Sequence, residues 1–365
     1  GAKVRPMLKF ILRRVGLMLL TALVLTFVVF YLTNLPPNLE KLARSEGSVR
    51  MSDEAVADWI EQNGHSGSIY ERYGQWLGIA PGWTYTDEKG VTRGRCFDAG
   101  DDPALAPRRC GILQGDWGYS TFAKKEALPY LGGMLASTGW LMLWVMIVMV
   151  PTSLLIGVVA GMREGSRTDR VLSTFSIAST ATPEYVSGVI LVALLASPVT
   201  GLSPILADWG WIDGKSLFLG AASPDNISFW SFALPVMTIA LYGIGYIARM
   251  TRASMTEVMT AQYIRTARLK GVSFGQVVMR HALRNALIAP FTVIMLQFPW
   301  LLNGVVIVET LFNYKGFGWT LVQAAGNNDI NLLLGCSVVA VFVVLVTQLI
   351  SDIGYVFLNP RIRLS

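Results

Sequence analysis

Residues 262–287 read QYIRTARLKGVSFGQVVMRHALRNAL, a basic island between two apolar runs. It carries Arg265, Arg268, Lys270, Arg280 and Arg284 and no acid. Charged side chains are costly in hydrocarbon, so such an island lies outside a bilayer, and positive loops gather on the cytoplasmic side. Ser254-Met-Thr-Glu257 just upstream and Ser273-Phe-Gly-Gln276 within it both have capping-box spacing, which predicts two helix starts. Gly271 stands where the first helix should stop, with Arg268 and Lys270 near its carboxyl end. Ala267 is small enough to let the backbone approach a partner closely. The expectation is a short helix, a glycine turn and a second helix running into the next apolar run. Such a helix suits a groove on another protein; it also fits an ordinary connecting loop with a solvated face.

Outward from the island, composition sets the class. Of 365 residues 53% are hydrophobic and 15% charged, against about 25% charged in soluble domains. Mean hydropathy is +0.48. These values fit an all-α, polytopic membrane protein and exclude a disordered or nucleic-acid-binding chain, despite the net charge of +6. A spanning helix needs about 20 mostly apolar residues. Six runs qualify: 8–32, 137–161, 171–196, 232–248, 286–308 and 332–358. Lys9, Arg13 and Arg14 open the first run like a signal peptide. It is longer than a signal core, however, and lacks a small-x-small site after Leu32, so it reads as an uncleaved anchor. With both termini inside, the cytoplasmic pieces 1–14, 162–170, 249–285 and 359–365 hold 17 Lys/Arg and three acids. The short external loops, 198–231 and 309–331, hold one lysine each. The predicted domains are 1–34, an N-terminus and first helix; 35–136, a periplasmic loop domain; 137–358, a five-helix core that includes 254–285; and the tail 359–365.

The loop 35–136 reads as a small mixed domain, either contacting a periplasmic partner or shielding the mouth of a pathway. Ser52 with Asp53 and Glu54 predicts a capped helix, 69–77 a second, and 84–95 a hairpin turning at 88–90. Cys96 and Cys110 can close a disulfide in an oxidising periplasm, worth up to about 3 kcal/mol; two unpaired thiols are the alternative. Cys336 suits packing. No Cys, His and acid set has metal-ligand spacing. Pro151, Pro183, Pro235, Pro290 and Pro299 predict kinks, around a cavity or in ordinary packing. Gly243-Ile-Gly245 and GVVAG at 157–161 predict close helix contacts. Two nucleotide signals fail. Gly214-Lys215-Ser216 would need its first glycine at Trp209, and the G-x-G-x-x-A run at 243–248 lies within a span. Catalysis within the chain is not expected.

The wording of the island adds a resemblance. TAQYIRTARLKGVSFGQVVMRHALRNALIAP resembles the coupling segment of ATP-binding-cassette importer permeases, in the dipeptide/oligopeptide branch. That family's Glu-Ala-Ala, Gly and Ile-x-Leu-Pro pattern falls on Arg265, Thr266, Ala267, Gly271, His281, Leu283 and Arg284, with its Glu, Ile and Pro replaced. GDWGYS at 115–120, GMREGSRTDR at 161–170, ALP at 233–235, ARMTRASM at 248–255, and ETLF and GFG at 309–318 are similar to further family motifs. The likeness covers 8–34 and 112–363; residues 35–111 fall outside it.

The resemblance implies the type I importer permease fold in a bacterial cytoplasmic (inner) membrane. It implies ATPase coupling through Gln262, Tyr263, Arg265, Thr266, Ala267, Arg268, Gly271, His281 and Arg284. Arg163, Arg167, Asp169 and Arg170 would make a second internal contact, or simply orient the helix. Partners would be a second homologous permease, two cytoplasmic ABC ATPase subunits that bind ATP and Mg, and a periplasmic or lipid-anchored substrate-binding protein. The chain itself would hold no cofactor and be no enzyme.

The implied substrates are peptides or peptide-like solutes. The same architecture would also serve a nickel or metal chelate, glutathione, an opine, a sugar or a peptide antibiotic. A non-transporting membrane scaffold is the alternative from another class. An ion-coupled secondary transporter should show inverted repeats and acids in several spans. Glu184, beside Pro183 in the third span, would face a wet pathway and a cationic substrate group, or be internally satisfied. Gln297 and Asn303 are further candidates for the pathway.

Overall fold

The computed structural model describes residues 4–88, 90–214 and 216–358, with side chains outside 4–10, 298–300, 302–304 and 355–358. It opens with helices α1 (Val4–Thr33), α2 (Pro36–Glu46), α3 (Asp53–Gln62) and α4 (Ile69–Leu77). Strands β1 (Thr84–Thr86), β2 (Thr92–Gly94), β3 (Tyr119–Ser120) and β4 (Lys125–Glu126) follow. Then come α5 (Ala127–Met162), α6 (Arg167–Ala181), α7 (Glu184–Leu191), α8 (Leu202–Asp208), α9 (Phe229–Met259) and α10 (Gln262–Leu269). The chain ends with α11 (Phe274–Gln276), α12 (Leu283–Ala286), α13 (Ile288–Leu311), α14 (Phe317–Gly326) and α15 (Ile330–Leu358).

Among the described residues four helices are long and apolar enough to cross a membrane: Ile11–Thr33, Ala127–Met162, Phe229–Met259 and Ile330–Gly354. A bent pair of helices passes the same test when taken together. α6 and the run Glu184–Ala196 meet at 107°, so the expected single span over 171–196 is corrected to a bent pair. Pro183 is the reason. It has no N–H to continue the ladder and forces the residue before it out of the helical region; Thr182 has φ −91° and ψ 121°. The expected span over 286–308 falls on α13, of which Ile288–Gln297 is a shorter apolar helix.

The chain divides into two compact units, residues 1–10, 135–319 and 344–365 in one, and 11–134 and 320–343 in the other. In the first unit α9 is central, packed by α6, α7 and α13. Ser228 and Ser231 cap its start reciprocally, and Leu234, Ile239, Ile247 and Met255 are fully buried along it. The GVVAG spacing of α5 lies against it. A Cβ on Gly157 would come 2.6 Å from the Ala248 carbonyl, and one on Gly161 2.9 Å from that of Arg252.

In the second unit Phe30, Leu39, Leu42 and Trp76 pack with Ile330 and Leu334. Ser52 and Ser68 accept bonds from Ala55 N and Glu71 N and so start α3 and α4. β1 and β2 pair antiparallel from Thr84–Gly94 to Thr86–Thr92; Lys89, in the expected turn, lies outside the described residues. Cys96 and Cys110 form a disulfide with Cα atoms 5.5 Å apart. Cys336 is a free, buried thiol. Asp329 accepts from Ser120 Oγ at 2.6 Å, from Phe122 N at 3.1 Å and from Leu332 N at 3.0 Å, which caps α15.

Candidate coupling surface and membrane pathway

The predicted helix start at Ser254 does not occur. α9 runs on past the apolar boundary at Ala248 to Met259. Ser254, already inside a running helix, donates instead to the Ala286 carbonyl at 2.8 Å, tying α9 to α12. α10 starts after Ala261, without a side-chain cap. Its end is better specified. Gly271 adopts φ 75°, its N–H bonds Arg268 O, and Val272 N–H bonds Ala267 O. These are the two bonds of a Schellman stop. Ser273 does precede α11, but its side chain makes no cap. From Val277 to Ala282 the chain takes wider π-helical turns before α12.

α10 has two faces. Ile264 is fully buried and Ala267 is 8% exposed, packed with Met255, Val277, Val278, Ala282 and Ala286. Three residues apart, they share one side of a helix. Ala267 therefore seats α10 on the chain's own helices. Gln262, Tyr263, Arg265, Thr266 and Arg268 are exposed, as are Gly271, His281 and Arg284. Asn285 Nδ2 donates to the Tyr263 hydroxyl at 3.0 Å, bracing α10 against α12. The Arg268 guanidinium lies 5.9 Å from the Phe274 ring centre. The result is a cationic surface on a locked apolar seat.

The second internal segment is split the same way. Arg163, Arg167 and Arg170 are exposed, whereas Asp169 is 3% exposed. Its carboxylate takes two bonds from Arg252 of α9, Nε at 2.5 Å and Nη2 at 2.7 Å. Gly165 N and Ser173 Oγ complete it at 2.9 Å and 3.1 Å. The Arg252 bonds hold the Asp169 carboxyl well below the usual carboxylate range. Asp169 is thus engaged within the chain, while the three arginines of the expected second internal contact are exposed.

Of the pathway candidates, Glu184 is partly exposed in the first turn of α7. It is no longer the middle of a straight helix; a carboxylate there meets the positive end of the helix dipole. Gln297 is 7% exposed and its Nε2 has no hydrogen-bond partner among the described residues. The side chain of Asn303 lies outside the described ones. No described contact joins Glu184 to Gln297. Glu309 forms a stronger node. Fully buried, it accepts from Thr138 Oγ1 at 2.5 Å and from Trp319 N at 2.9 Å, while Thr138 accepts from Phe317 N at 2.8 Å. This folds the segment after α13 back onto α5. Gly316 is required there, because any Cβ would strike the Glu309 carboxylate.

A family model described as "Binding-protein-dependent transport system inner membrane component" matches residues 153–364. The chain belongs to that family. This inner membrane component is 34% identical over 252 residues to a probable peptide ABC transporter permease protein, y4tP, of Sinorhizobium fredii, covering 69% of this chain and 77% of that one. It is 31% identical over 367 residues to the di/tripeptide transport system permease protein DppB of Pseudomonas aeruginosa, covering 98% and 99%. It is 31% identical over 252 residues to the glutathione transport system permease protein GsiC of Salmonella typhi, covering 69% and 76%. The DppB match runs through residues 35–111, which the motif resemblance left out.

Three residues that tie segments of this inner membrane component together escaped sequence reasoning. Arg252, Asn285 and Glu309 all stand in quoted motifs, but their partners are 83, 22 and 171 residues away.

Proposed function

We propose that this chain is the membrane permease subunit of an ATP-binding-cassette importer for peptides. Its six helices, counting α6–α7 as one and including α13, would form half of a pathway completed by a second homologous permease. The α10 surface supports the reading most directly: Tyr263, Arg265 and Arg268 project outward from a helix whose other face is fixed by Ile264 and Ala267. Two cytoplasmic ATPases, carrying ATP and Mg, would receive that surface. Arg163, Arg167 and Arg170 would give them a second contact, and a periplasmic or lipid-anchored binding protein would deliver solute outside. Peptides are favoured because two of the relatives above are named for peptide or di/tripeptide transport.

The test is peptide-stimulated ATP hydrolysis by the assembled complex in proteoliposomes. Arg265→Glu with Arg268→Glu should lower stimulation about tenfold or more while the subunit stays in the membrane; full stimulation would refute the coupling role. A scaffold would give no stimulation with the native chain. The GsiC likeness supports glutathione as a second reading, and uptake of labelled dipeptide against labelled glutathione decides between them. Orientation is checked with an impermeant maleimide: Leu105→Cys should label from outside and Lys270→Cys should not.

A further inference from the structure

Two adjoining cavities, about 280 Å³ and about 50 Å³, lie within the second unit. Both are walled by Asn63, His65, Trp83 and Arg95, so they are lobes of one space. Together they reach the lower end of small-molecule sites, about 300 Å³.

The smaller lobe is basic. Arg72 and Arg95 line it. Arg72 Nε is buried with no hydrogen-bond partner among the described residues. Its Nη1 has a long 3.4 Å contact with Asn34 Oδ1. A buried charged donor left unmatched is unfavourable, and the group that fits a guanidinium fork is a carboxylate. Arg95 is held from behind: its Nε donates to the Cys110 carbonyl at 3.3 Å, and its neighbour Cys96 is bonded to Cys110.

The larger lobe is acidic and aromatic. Asp329 is consumed by Ser120, Phe122 and Leu332. Asp116 is engaged by Gly118 N at 3.0 Å and by Arg95 at 3.6 Å. Glu46, an exposed carboxylate on the wall of that lobe, makes no hydrogen bond or ion pair among the described residues. Trp59 and Trp83 share that lobe, and indole faces attract cations. A buried, unmatched guanidinium N–H in one lobe and an exposed carboxylate in the next can take the two ends of a zwitterion.

We propose that this cavity binds a small peptide as its zwitterion, the carboxylate on Arg72 and the ammonium toward Glu46. The proposal rests on the peptide-importer reading for the class of solute only.

The experiment is calorimetric titration of the full chain in detergent, without partners, using Ala-Ala, Ala-Ala-amide, N-acetyl-Ala-Ala and acetate. Ala-Ala should bind saturably, and removing its carboxylate as the amide should weaken binding about tenfold or more. Arg72→Gln should do the same, with partial recovery in Arg72→Lys. Glu46→Gln should weaken Ala-Ala and leave the acetylated peptide unchanged. No saturable heat, equal binding of peptide and amide, or an unaffected Arg72→Gln would overturn the proposal. Acetate competing as well as Ala-Ala would overturn the assignment to a peptide. If Arg72→Gln fails to fold by circular dichroism, the amide on the native chain still decides. The titration contains no ATPase, so it can fail while peptide-stimulated hydrolysis succeeds, and the reverse.

Discussion

Single side chains in this protein act mostly by holding segments that are distant in sequence. The Asp169–Arg252 pair is the clearest case, because the acid is 4% exposed and the base 31%. Removing one partner of a buried pair leaves an uncompensated charge, at about 3–5 kcal/mol; partial exposure of Arg252 places the loss near the low end, about 3 kcal/mol. Asp169→Asn or Arg252→Gln should lower thermal stability by that order, and the double variant should lose much less than the sum. A depressed carboxyl stabilises the fold above the ordinary carboxylate range and loses that contribution as pH falls below it. His65 works in a nearer window. Burial first, then Arg72 and Arg95, push it down to about 4. Between pH 6.5 and 4 the unfolded chain therefore binds the extra proton, and stability should fall with pH by on the order of 2 kcal/mol. Melting temperatures measured across that range should flatten in His65→Gln; an equal slope in both would contradict the assignment.

At the scale of elements, the Schellman stop at Gly271 sets where α10 ends. A Cβ there meets nothing within 4 Å, so only the backbone resists substitution. Gly271→Val should cost about 1–2 kcal/mol and lower ATPase stimulation, while Gly271→Asn should be milder. This stop was legible, since glycine after a basic last turn has a local cause. The start of α10 was not. Ser254 and Glu257 carry the capping spacing, yet a helix already running keeps its i to i−4 ladder and leaves the serine to bond elsewhere. The 107° break was half legible: Pro183 was visible among five prolines, and nothing local says which of them bends a span and which is absorbed, as Pro151 and Pro235 are inside α5 and α9. Ala267 was legible in size but not in direction. Ile264, three residues earlier, shares its face and shows that it points inward.

For the molecule as a whole, charge and hydropathy made the membrane class plain, and the island marked the basic, exposed face of α10. The cavity of the second unit could not be read, because its walls come from residues 30–121 and 329–334, joined only by folding. The Cys96–Cys110 bond should matter locally there. Reduction removes a constraint worth about 3 kcal/mol in the unfolded chain, so proteolysis under reductant should cut within 80–112 first and leave residues 135–319 intact. Equal cutting in both regions would contradict the division into units. α9 carries a further consequence. It holds 31 residues in unbroken helical register, about 46 Å at 1.5 Å per residue. A body of that length cannot be compressed, only swung. Rotating its Met259 end by about 5° carries Phe229, at its other end, through about 4 Å. Arg252 bonds Asp169 and Ser254 bonds Ala286 near the Met259 end, so a small push there would reach Phe229 as angle, amplified by distance alone.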